Sequence, residues 1–326
     1  METLTVDKLY RDTKEKLKLE LLNNRASFRR IIRESDLNRP GLALTGFVKV
    51  FTYKRVQIMG NTENEYLKSL KRDKRLLAIK TLVSFKIPCI IVTEGNDPVP
   101  ELMPLCNEHG ISVFRTPFKT TRLMHLLSGY MEEQFAPRTT VHGSLVDVYG
   151  IGMLFTGRSG IGKSEIALDL LERGHRLVAD DVVNIVRQAE GILIGMASET
   201  LQHHMEIRGL GIVDVRRIFG IRSVRLQKRV EVEVQLEEWD DNEEYERIGL
   251  DEAVTKILDV EIPAVKLPIF PGKNITVIAE VIALNQLLKI YGHHPAQEFN
   301  QKLIEKMQEK IASKKYLEDY LDKDFE

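Results

Sequence analysis

A glycine-rich segment, GRSGIGKS, has the spacing G-x-x-x-x-G-K-[ST] of loops that bind nucleotide phosphates. Glycines let successive backbone N–H groups point at phosphate oxygens, and the helix that follows adds positive partial charge at its N-terminus. Lys163 is expected to reach the β- and γ-phosphates, and the Ser164 hydroxyl to bind Mg²⁺. The predicted phosphate-binding loop consists of Gly157, Arg158, Ser159, Gly160, Ile161, Gly162, Lys163 and Ser164.

Two adjacent acids, Asp180 and Asp181, end the segment RLVADD, only one helix after the phosphate-binding loop. We read this segment as a strand. In open α/β sheets, ligands bind beyond the carboxyl ends of the strands, and neighbouring residues of a strand face opposite sides of the sheet. We therefore expect one acid to approach the nucleotide and the other to approach a second substrate or to position a water. The alternative is that one of the two is a solvated acid in a turn.

Further polar residues lie on both sides of these acids in the sequence. His142 comes just before the strand that leads into the phosphate-binding loop, so a catalytic and a structural role are both open. In MEIRGLGIVDVRRIFG, Glu206 and Arg208 are two residues apart and are followed by closely spaced glycines, which permit close backbone approach. Such a pair could place a carboxylate on a metal and a guanidinium on phosphate. The alternative is a solvated, arginine-rich strand end.

The composition is that of a globular protein: 326 residues, 43% apolar and 29% charged. The net charge of -1 argues against bulk attraction to nucleic acid or to an anionic membrane. Cys89 and Cys106 lack metal-ligand spacing, so we expect two buried, reduced thiols. The first residues lack an apolar signal core, and no apolar run approaches the ~20 residues that span a bilayer. We expect a cytoplasmic protein.

The elements that would position these residues divide into two domains, residues 1–134 and 135–326, joined near APRTT. The first domain alternates short strands and helices, and the order strand, helix, strand predicts a parallel α/β unit. Its predicted strands are LALTGFVKVF, IPCIIVTEG and ISVFRT, and RVQIMG is expected to be a short strand or a turn. Its predicted helices are ENEYLKSLKRDKRLLAIKTLVSFK, PVPELMPLCNEHG and TTRLMHLLSGYMEEQF.

The second domain is expected to place strands around the phosphate-binding loop and its helix. EVEVQLEEW alternates with a period of two, which puts Val232, Val234 and Leu236 on one face. This segment is the end of a longer stretch predicted to be strand, RSVRLQKRVEVEVQLEEW, and the other predicted strands are VHGSLVDVYG, GMLFTG, ILIGMAS and ITVIAEVIAL. The last segment has helical spacing, and its apolar stripe should pack on the domain or against a neighbouring subunit. The stripe consists of Phe299, Leu303, Ile304, Met307 and Ile311.

Several stretches together resemble the bacterial HPr kinase/phosphorylase family, which acts on the histidine-containing phosphocarrier protein HPr. The resemblance covers nearly the whole chain, and MEIRGLGIVDV is its most specific part. The other matching stretches are RPGLALTGF, PVPELMPLCNEHGISVFRT, VHGSLVDVYGIGMLFTGRSGIGKSE, RGHRLVADDVV, LEEWDDNEEYERIGLD and LPIFPGKN.

The resemblance implies an α/β fold: an N-terminal α/β domain of unassigned role and a C-terminal P-loop kinase core similar to phosphoenolpyruvate carboxykinase. It implies a homohexameric, multifunctional serine/threonine-protein kinase of carbohydrate metabolism and catabolite repression. The implied reactions are phosphorylation of an HPr serine by ATP and removal of that phosphate by inorganic phosphate, which releases pyrophosphate. Mg²⁺ is the implied cofactor.

By position, the resemblance also assigns roles to single residues. Asp181 matches the general base of the family, with Asp180 beside it, and residues 205–214 match a segment that serves both reactions. The implied catalytic residues are His142, Lys163, Asp180, Asp181 and Arg247. The implied metal ligands are Ser164 and Glu206.

Three positions depart from the family pattern. The late loop PIFPGKN carries Phe270 and Lys273 where arginines are expected, and residues 268–273 are implied to serve dephosphorylation most. Each replacement would remove a bidentate anion donor, which favours kinase over phosphorolytic activity. Arg158 adds positive charge near the phosphates.

Two other functions share the phosphate-binding loop. A small-molecule kinase would need a concave pocket instead of an exposed docking surface. A nucleotide-switched regulatory protein would bind nucleotide after an Asp181→Asn change and transfer no phosphate. The joint presence of Glu206, Asp181 and His142, together with the resemblance, argues against the regulatory protein.

Overall fold

The computed structural model describes residues 3–188, 191–240, 253–270 and 272–322, with the backbone alone described over 312–322. The chain divides into two compact units, Met1–Ala136 and Pro137–Glu326. Each unit has its own sheets and its own buried core.

The first unit is a five-stranded sheet between two layers of helices. Its strands are β1 (Glu20–Leu21), β2 (Leu37–Asn38), β3 (Val56–Met59), β4 (Cys89–Val92) and β5 (Ser112–Arg115). Its helices are α1 (Val6–Leu17), α2 (Gly41–Leu44), α3 (Asn61–Ser69), α4 (Arg72–Val83), α5 (Leu102–Glu108) and α6 (Thr120–Phe135). The strand order is β1-β5-β4-β3-β2, and only β1 is antiparallel to its neighbour. The predicted parallel unit β4–α5–β5 is confirmed.

One prediction in this unit is wrong. LALTGFVKVF forms no strand; it contributes most of the short helix α2 and the turn after it. Pro40 is the residue before the helix, and its carbonyl accepts the Leu44 N–H at 2.9 Å. A short apolar run is compatible with either element.

Both cysteines are buried and free, as predicted, and burial raises each thiol pKa to about 12.

The second unit contains a six-stranded sheet, a four-stranded sheet and a hairpin. Its strands are β6 (Arg138–His142), β7 (Ser144–Val148), β8 (Ile151–Gly157), β9 (Arg176–Ala179), β10 (Val182–Arg187), β11 (Leu193–Met196), β12 (His204–Ile207), β13 (Gly211–Asp214), β14 (Gln227–Arg229), β15 (Val232–Glu238), β16 (Val254–Ile257) and β17 (Val260–Ile269). Its helices are α7 (Lys163–Glu172), α8 (Val215–Phe219), α9 (Ile275–Ile290) and α10 (Pro295–Asp322).

The six-stranded sheet has the order β16-β17-β15-β8-β7-β9. Strands β17, β15 and β8 are mutually parallel, and β7 is antiparallel to both of its neighbours. Strands β8, β9, β15 and β17 therefore end at one edge of the sheet, here called the carboxyl edge. The predicted inward face of β15 is confirmed, because Val232, Val234 and Leu236 are buried in one core with residues of α7 and α9.

The prediction of a strand at ITVIAEVIAL is wrong, since this segment begins α9. The Asn274 side chain caps the helix by accepting the Val277 N–H at 3.1 Å. Ile275, Ala279 and Ala283 recur every four residues and are buried in the core of the sheet. This packing overrides the strand preference of the β-branched residues.

The apolar stripe of α10 does not pack on its own domain, because its five side chains are 40–65% exposed. Packing against a neighbouring subunit stays a prediction. Among the described residues, no single helix is long and apolar enough to cross a membrane; α9 and the first part of α10 meet that measure only as a pair bent by 74°.

Candidate active site

The phosphate-binding loop follows β8 at the carboxyl edge and leads directly into α7. Gly160 has a φ of 82°, and a Cβ there would meet the Arg208 guanidinium at 2.6 Å. The positive φ therefore favours glycine at this position, and the contact shows that the Arg208 side chain lies close against the loop. Lys163, the first residue of α7, donates from Nζ to the carbonyls of Gly157 at 3.0 Å and Arg158 at 2.9 Å. The Lys163 ammonium group therefore lies against the backbone of the first two residues of the loop.

Asp180 is the acid that the fold joins to this loop. It is 2% exposed, and the Ser164 hydroxyl donates to its carboxylate at 2.9 Å. Ser144, the first residue of β7, donates to the same carboxylate at 2.5 Å. Burial raises the pKa of Asp180, whereas the two hydroxyls and the backbone amides of Asp181 and Glu206 lower it. The described side chains that bond to Asp180 are hydroxyls, so its charge is hydrogen-bonded without a cationic partner.

Asp181 lies in a different environment although it is the next residue. Strand β9 ends at Ala179, and Asp181 is exposed with a φ of 63°, in the left-handed region. The two acids therefore differ because of a turn and not because of strand alternation, so one is buried beside the loop and the other faces outward. The two acids do face different surroundings, but the predicted division of their roles stays a prediction. The solvated-turn alternative describes the backbone of Asp181 correctly.

His142 lies beside Asp181. It is the last residue of β6, paired with Val182 of β10, and the next residue, Gly143, donates its N–H to the Asp181 carbonyl at 3.1 Å. A Cβ on Gly143 would meet the Phe155 carbonyl at 2.5 Å. The glycine thus lets the chain between β6 and β7 pass close to β8. His142 and Asp181 are both exposed, and they lie at the neighbouring ends of the paired strands β6 and β10.

The hairpin β12–β13 contributes the predicted Glu206 and Arg208. Glu206 is exposed, and its backbone amide reaches Asp180, while Arg208 lies against Gly160 of the loop. The fold therefore brings together six predicted residues: His142, Lys163, Ser164, Asp180, Asp181 and Glu206. Arg247 lies outside the described residues.

The oxygen donors around Ser164 suit Mg²⁺, which prefers carboxylate and hydroxyl oxygens. Ser164 Oγ and the Asp180 carboxylate are in contact, and the backbone amide of Glu206 hydrogen-bonds to the same carboxylate. No group of three His, Cys, Asp or Glu side chains in the described ranges could hold a metal ion by itself. Mg²⁺ held together with substrate phosphates needs only one or two protein carboxylates, so this donor set fits it.

The three departures from the family pattern form contacts of their own. Arg158 pairs with Glu238 at the end of β15. The Phe270 ring packs edge-on against Trp239, with ring centroids 5.4 Å apart. Lys273 Nζ lies 5.2 Å from the Phe270 centroid and donates to the Pro268 carbonyl at 2.9 Å. Loss of hydration lowers the pKa of Lys273.

Ser144 is the residue of this site that the sequence did not single out. Its hydroxyl is fully buried and bonds to Asp180 across 36 residues of sequence. The one available signal was its position two residues after His142, at the start of a strand. A serine in that position has no property that reveals a tertiary partner.

Two family models match nearly the whole chain. "HPr Serine kinase N terminus" matches residues 4–131, and "HPr Serine kinase C-terminal domain" matches residues 133–303. An HPr kinase/phosphorylase of Chloroherpeton thalassium is 50% identical over 315 residues, which are 96% of this chain and 92% of that protein. One of Prosthecochloris aestuarii is 51% identical over 312 residues, 95% of this chain and 92% of that protein.

Among solved structures, the Hpr(Ser) kinase/phosphatase of Coxiella burnetii is 32% identical and aligns with a TM-score of 0.44 over 49% of this chain and 98% of that chain. The two family models and the relatives at about half identity agree with the family that the sequence motifs resemble. The chain belongs to the HPr serine kinase family.

Proposed function

We propose that this chain transfers the γ-phosphoryl group of ATP to a serine of HPr and removes the same phosphate by phosphorolysis. The family supports the reaction class. The contact between Ser164 and Asp180 is the observation that carries the proposal. It joins the phosphate-binding loop to the acids, so a phosphate in the loop lies beside a candidate base.

In the forward direction, Asp181 would accept the proton of the HPr serine while its oxygen attacks the γ-phosphorus. A new O–P bond forms, the bond between the γ-phosphorus and the bridging oxygen breaks, and ADP leaves. Asp181 suits this role because it is exposed to a docking protein, whereas Asp180 is buried behind it. His142, on the adjacent strand end, is placed to orient the same carboxylate or the incoming serine.

In the reverse direction, an oxygen of inorganic phosphate attacks the phosphorus of phosphoserine. The bond from phosphorus to the serine oxygen breaks, that oxygen takes the proton from Asp181, and pyrophosphate is released. One carboxyl group can serve both reactions, because the serine oxygen loses its proton when it is phosphorylated and needs a proton when the phosphate leaves. Lys273 already bonds to the Pro268 carbonyl, so phosphorolysis should be the slower activity.

Positioning and charge neutralisation carry most of the catalysis in phosphoryl transfer. Lys163 and Arg208 lie at the loop and would neutralise charge on the phosphates. Ser164 and Asp180 would hold Mg²⁺, with Glu206 as a further ligand. Bound Mg²⁺ supplies positive charge to the β- and γ-phosphate oxygens. Arg247 is proposed as an additional catalytic residue from the family pattern alone.

We further propose a cytoplasmic homohexamer that acts in carbon catabolite regulation. The exposed apolar stripe of α10 supports subunit contact, since large solvent-facing apolar patches mark interaction surfaces.

The experiment incubates the protein with ATP, Mg²⁺ and HPr, and separately phosphoserine-HPr with phosphate. We expect serine-phosphorylated HPr in the first reaction and pyrophosphate in the second. Asp181→Asn should lower the forward rate by roughly 10²- to 10⁴-fold, the usual contribution of a general base, with ADP binding unchanged. No phosphorylated HPr would refute the proposal. An unimpaired Asp181→Asn variant would move the base elsewhere, and loss of the second reaction alone would leave a kinase.

A further inference from the structure

A cavity of about 370 Å³ lies at the end of the six-stranded sheet that is opposite to the carboxyl edge. The turn between β7 and β8, at Tyr149 and Gly150, forms one side, and residues 173–176, which join α7 to β9, form the other. The Tyr149 ring packs edge-on against His175, with ring centroids 4.7 Å apart, so the two sides are in contact. The volume lies within the range of roughly 300–1,000 Å³ that is typical of small-molecule sites. None of the described residues that form the candidate active site lines this cavity.

Asp147, the fourth residue of β7, contributes a buried carboxylate to this cavity. Its side chain is 1% exposed, and Oδ2 accepts a hydrogen bond from the Arg225 guanidinium at 2.7 Å. Arg176 Nε lies 3.5 Å from the same oxygen, which is a long distance for a charged hydrogen bond. The other oxygen, Oδ1, is buried and accepts no hydrogen bond from the residues that the structure describes. Since nearly all buried polar atoms have a partner, Oδ1 requires a hydrogen-bond donor that the described residues do not supply.

The charges at the cavity favour an anion. The ion pairs there join two carboxylates, Asp147 and Glu280, to three guanidiniums, those of Arg173, Arg176 and Arg225, so the paired groups have a net positive charge. Arg173 and Arg176 line the cavity, and their side chains are 44% and 50% exposed. A guanidinium has five N–H donors, so Arg173 can bond to Glu280 and to an anion at the same time. A cationic ligand is disfavoured, because Asp147 already has guanidinium partners.

Hydrogen phosphate combines the two properties that the cavity requires, because it is an anion that keeps at least one hydroxyl at neutral pH. That hydroxyl can donate to Asp147 Oδ1, while the other oxygens accept from Arg173 and Arg176, whose planar guanidiniums match phosphate geometry. A turn of the half-exposed Arg176 side chain would bring the anion and Oδ1 together, since its contact with Oδ2 is long. Sulfate has a similar shape but carries no proton at neutral pH, so it would leave the carboxylate oxygen without a donor.

We propose that this cavity is a second phosphate-binding site, selective for hydrogen phosphate, in which Asp147 is the hydrogen-bond acceptor and Arg173 and Arg176 are the donors. The inference goes beyond the proposed function. The phosphate that attacks phosphoserine would bind at the phosphate-binding loop, whereas this site lies at the other end of the sheet and takes no part in phosphoryl transfer. Phosphate should therefore bind here even when a nucleotide fills the loop.

Calorimetry on the intact chain separates the two sites. The phosphate-binding loop is first saturated with Mg²⁺ and a non-hydrolysable ATP analogue, and phosphate is then titrated. We expect saturable binding of one phosphate per chain, with sulfate about tenfold weaker, the loss expected for one hydrogen bond to a charged group. Absence of phosphate binding, or equal affinities for phosphate and sulfate, would overturn the proposal. Failure of the analogue to bind would instead count against the proposed function, and the Arg176 variant would still test the cavity.

Arg176→Gln tests the cation, because this side chain is half exposed and its removal leaves the pair of Arg225 and Asp147 in place. Phosphate affinity should fall about tenfold, whereas the affinity for the ATP analogue should stay within about twofold of the parent. The matched control is Arg187→Gln, which changes another partly exposed arginine, one whose Nη1 lies 3.8 Å from Asp259. It should change neither affinity. Equal phosphate affinities in the parent and in Arg176→Gln would refute the site.

Asp147→Asn tests the selectivity for hydrogen phosphate. The new amide can donate a hydrogen bond to sulfate, so the preference for phosphate over sulfate should fall to about twofold or less. Unchanged selectivity would show that Asp147 is not the acceptor. If this buried, ion-paired position does not tolerate the change and the variant does not fold, the comparison of phosphate with sulfate on the parent and the Arg176→Gln result still decide the proposal.

Discussion

Two buried carboxylates of the second unit lie at opposite ends of the six-stranded sheet. Asp180, at the carboxyl edge, accepts hydrogen bonds from the hydroxyls of Ser144 and Ser164. Glu280 of α9, at the other end, accepts from Arg173 at 2.5 Å, His175 at 3.0 Å and, more weakly, the Tyr149 hydroxyl.

The two carboxyl groups have pKa values that are shifted in opposite directions. Burial raises the pKa of Asp180, whereas the Arg173 guanidinium and His175 lower the pKa of Glu280 to about 2. The charge of Glu280 is compensated inside the protein, so this carboxylate serves the fold. Within the described ranges, the charge of Asp180 is compensated by hydrogen-bond dipoles alone, which fits the proposed binding of a cation that arrives with the substrate. The comparison thus separates a structural acid, Glu280, from the acid that we propose to be functional, Asp180.

The largest expected effect is on the functional acid. Asp180→Asn should lower phosphoryl transfer by about 10²- to 10³-fold, the usual loss when one preorganised electrostatic group is removed. The melting temperature should be unchanged or higher, because a buried amide costs less than a buried charge without a cationic partner. Transfer assays and calorimetric melting measure the two quantities.

The control for this change is Glu172→Gln, which removes an exposed carboxylate at the end of α7 and should alter neither quantity. A large drop in melting temperature for Asp180→Asn would show that both carboxylates serve the fold.

A smaller effect is expected from Ser144→Ala. Loss of its hydrogen bond removes a contribution that lowers the pKa of Asp180. The ionised form then requires a higher pH, so the acid limb of the pH–rate profile should move upward and the rate at neutral pH should fall about tenfold or less. Ser223→Ala is the matched control, since its buried hydroxyl donates to the Gly220 carbonyl at 2.7 Å. An unshifted pH–rate profile would show that Ser144 contributes to packing only.

The smallest effect on transfer is expected from Glu280→Gln, which should leave the rate within twofold. Its melting temperature should fall at neutral pH, by roughly 2–4 °C for each kcal/mol lost in a domain of this size. A lowered pKa stabilises the fold above the unfolded pKa, and that stability is lost as the pH falls towards the folded value. The difference between parent and variant should therefore shrink between pH 4.5 and about pH 2. A pH-independent difference would contradict the ion-pair explanation.

The sequence predicted the parts of the site that depend on local spacing. Gly157–Ser164 and the Asp180–Asp181 pair were found because the geometry of a phosphate-binding loop is encoded in consecutive residues. Ser144 was missed because its role depends on a contact across the sheet. The two acids do lie in different environments, but the cause is a turn at Asp181 and not the strand alternation on which the prediction relied.

The errors in the fold have the same origin. ITVIAEVIAL is rich in β-branched residues, which favour a strand. The features that favour a helix are the Asn274 cap and the burial of Ala279 and Ala283, which are four residues apart. The exposed stripe of α10 follows the predicted period, but a period states which residues share a face and not what that face contacts. Local patterns predicted element type best where no tertiary contact opposed them.

The left-handed backbone of Asp181 restricts which residue could serve as the proposed base at this position. Glycine, asparagine and aspartate adopt this conformation at low cost, and of these only aspartate carries a carboxylate. Glutamate would keep the acid and strain the chain, while alanine would lose both properties. Asparagine preserves the turn and removes only the charge, so it is the substitution that separates proton transfer from architecture. A requirement of the backbone and a requirement of the chemistry thus select the same amino acid at one position.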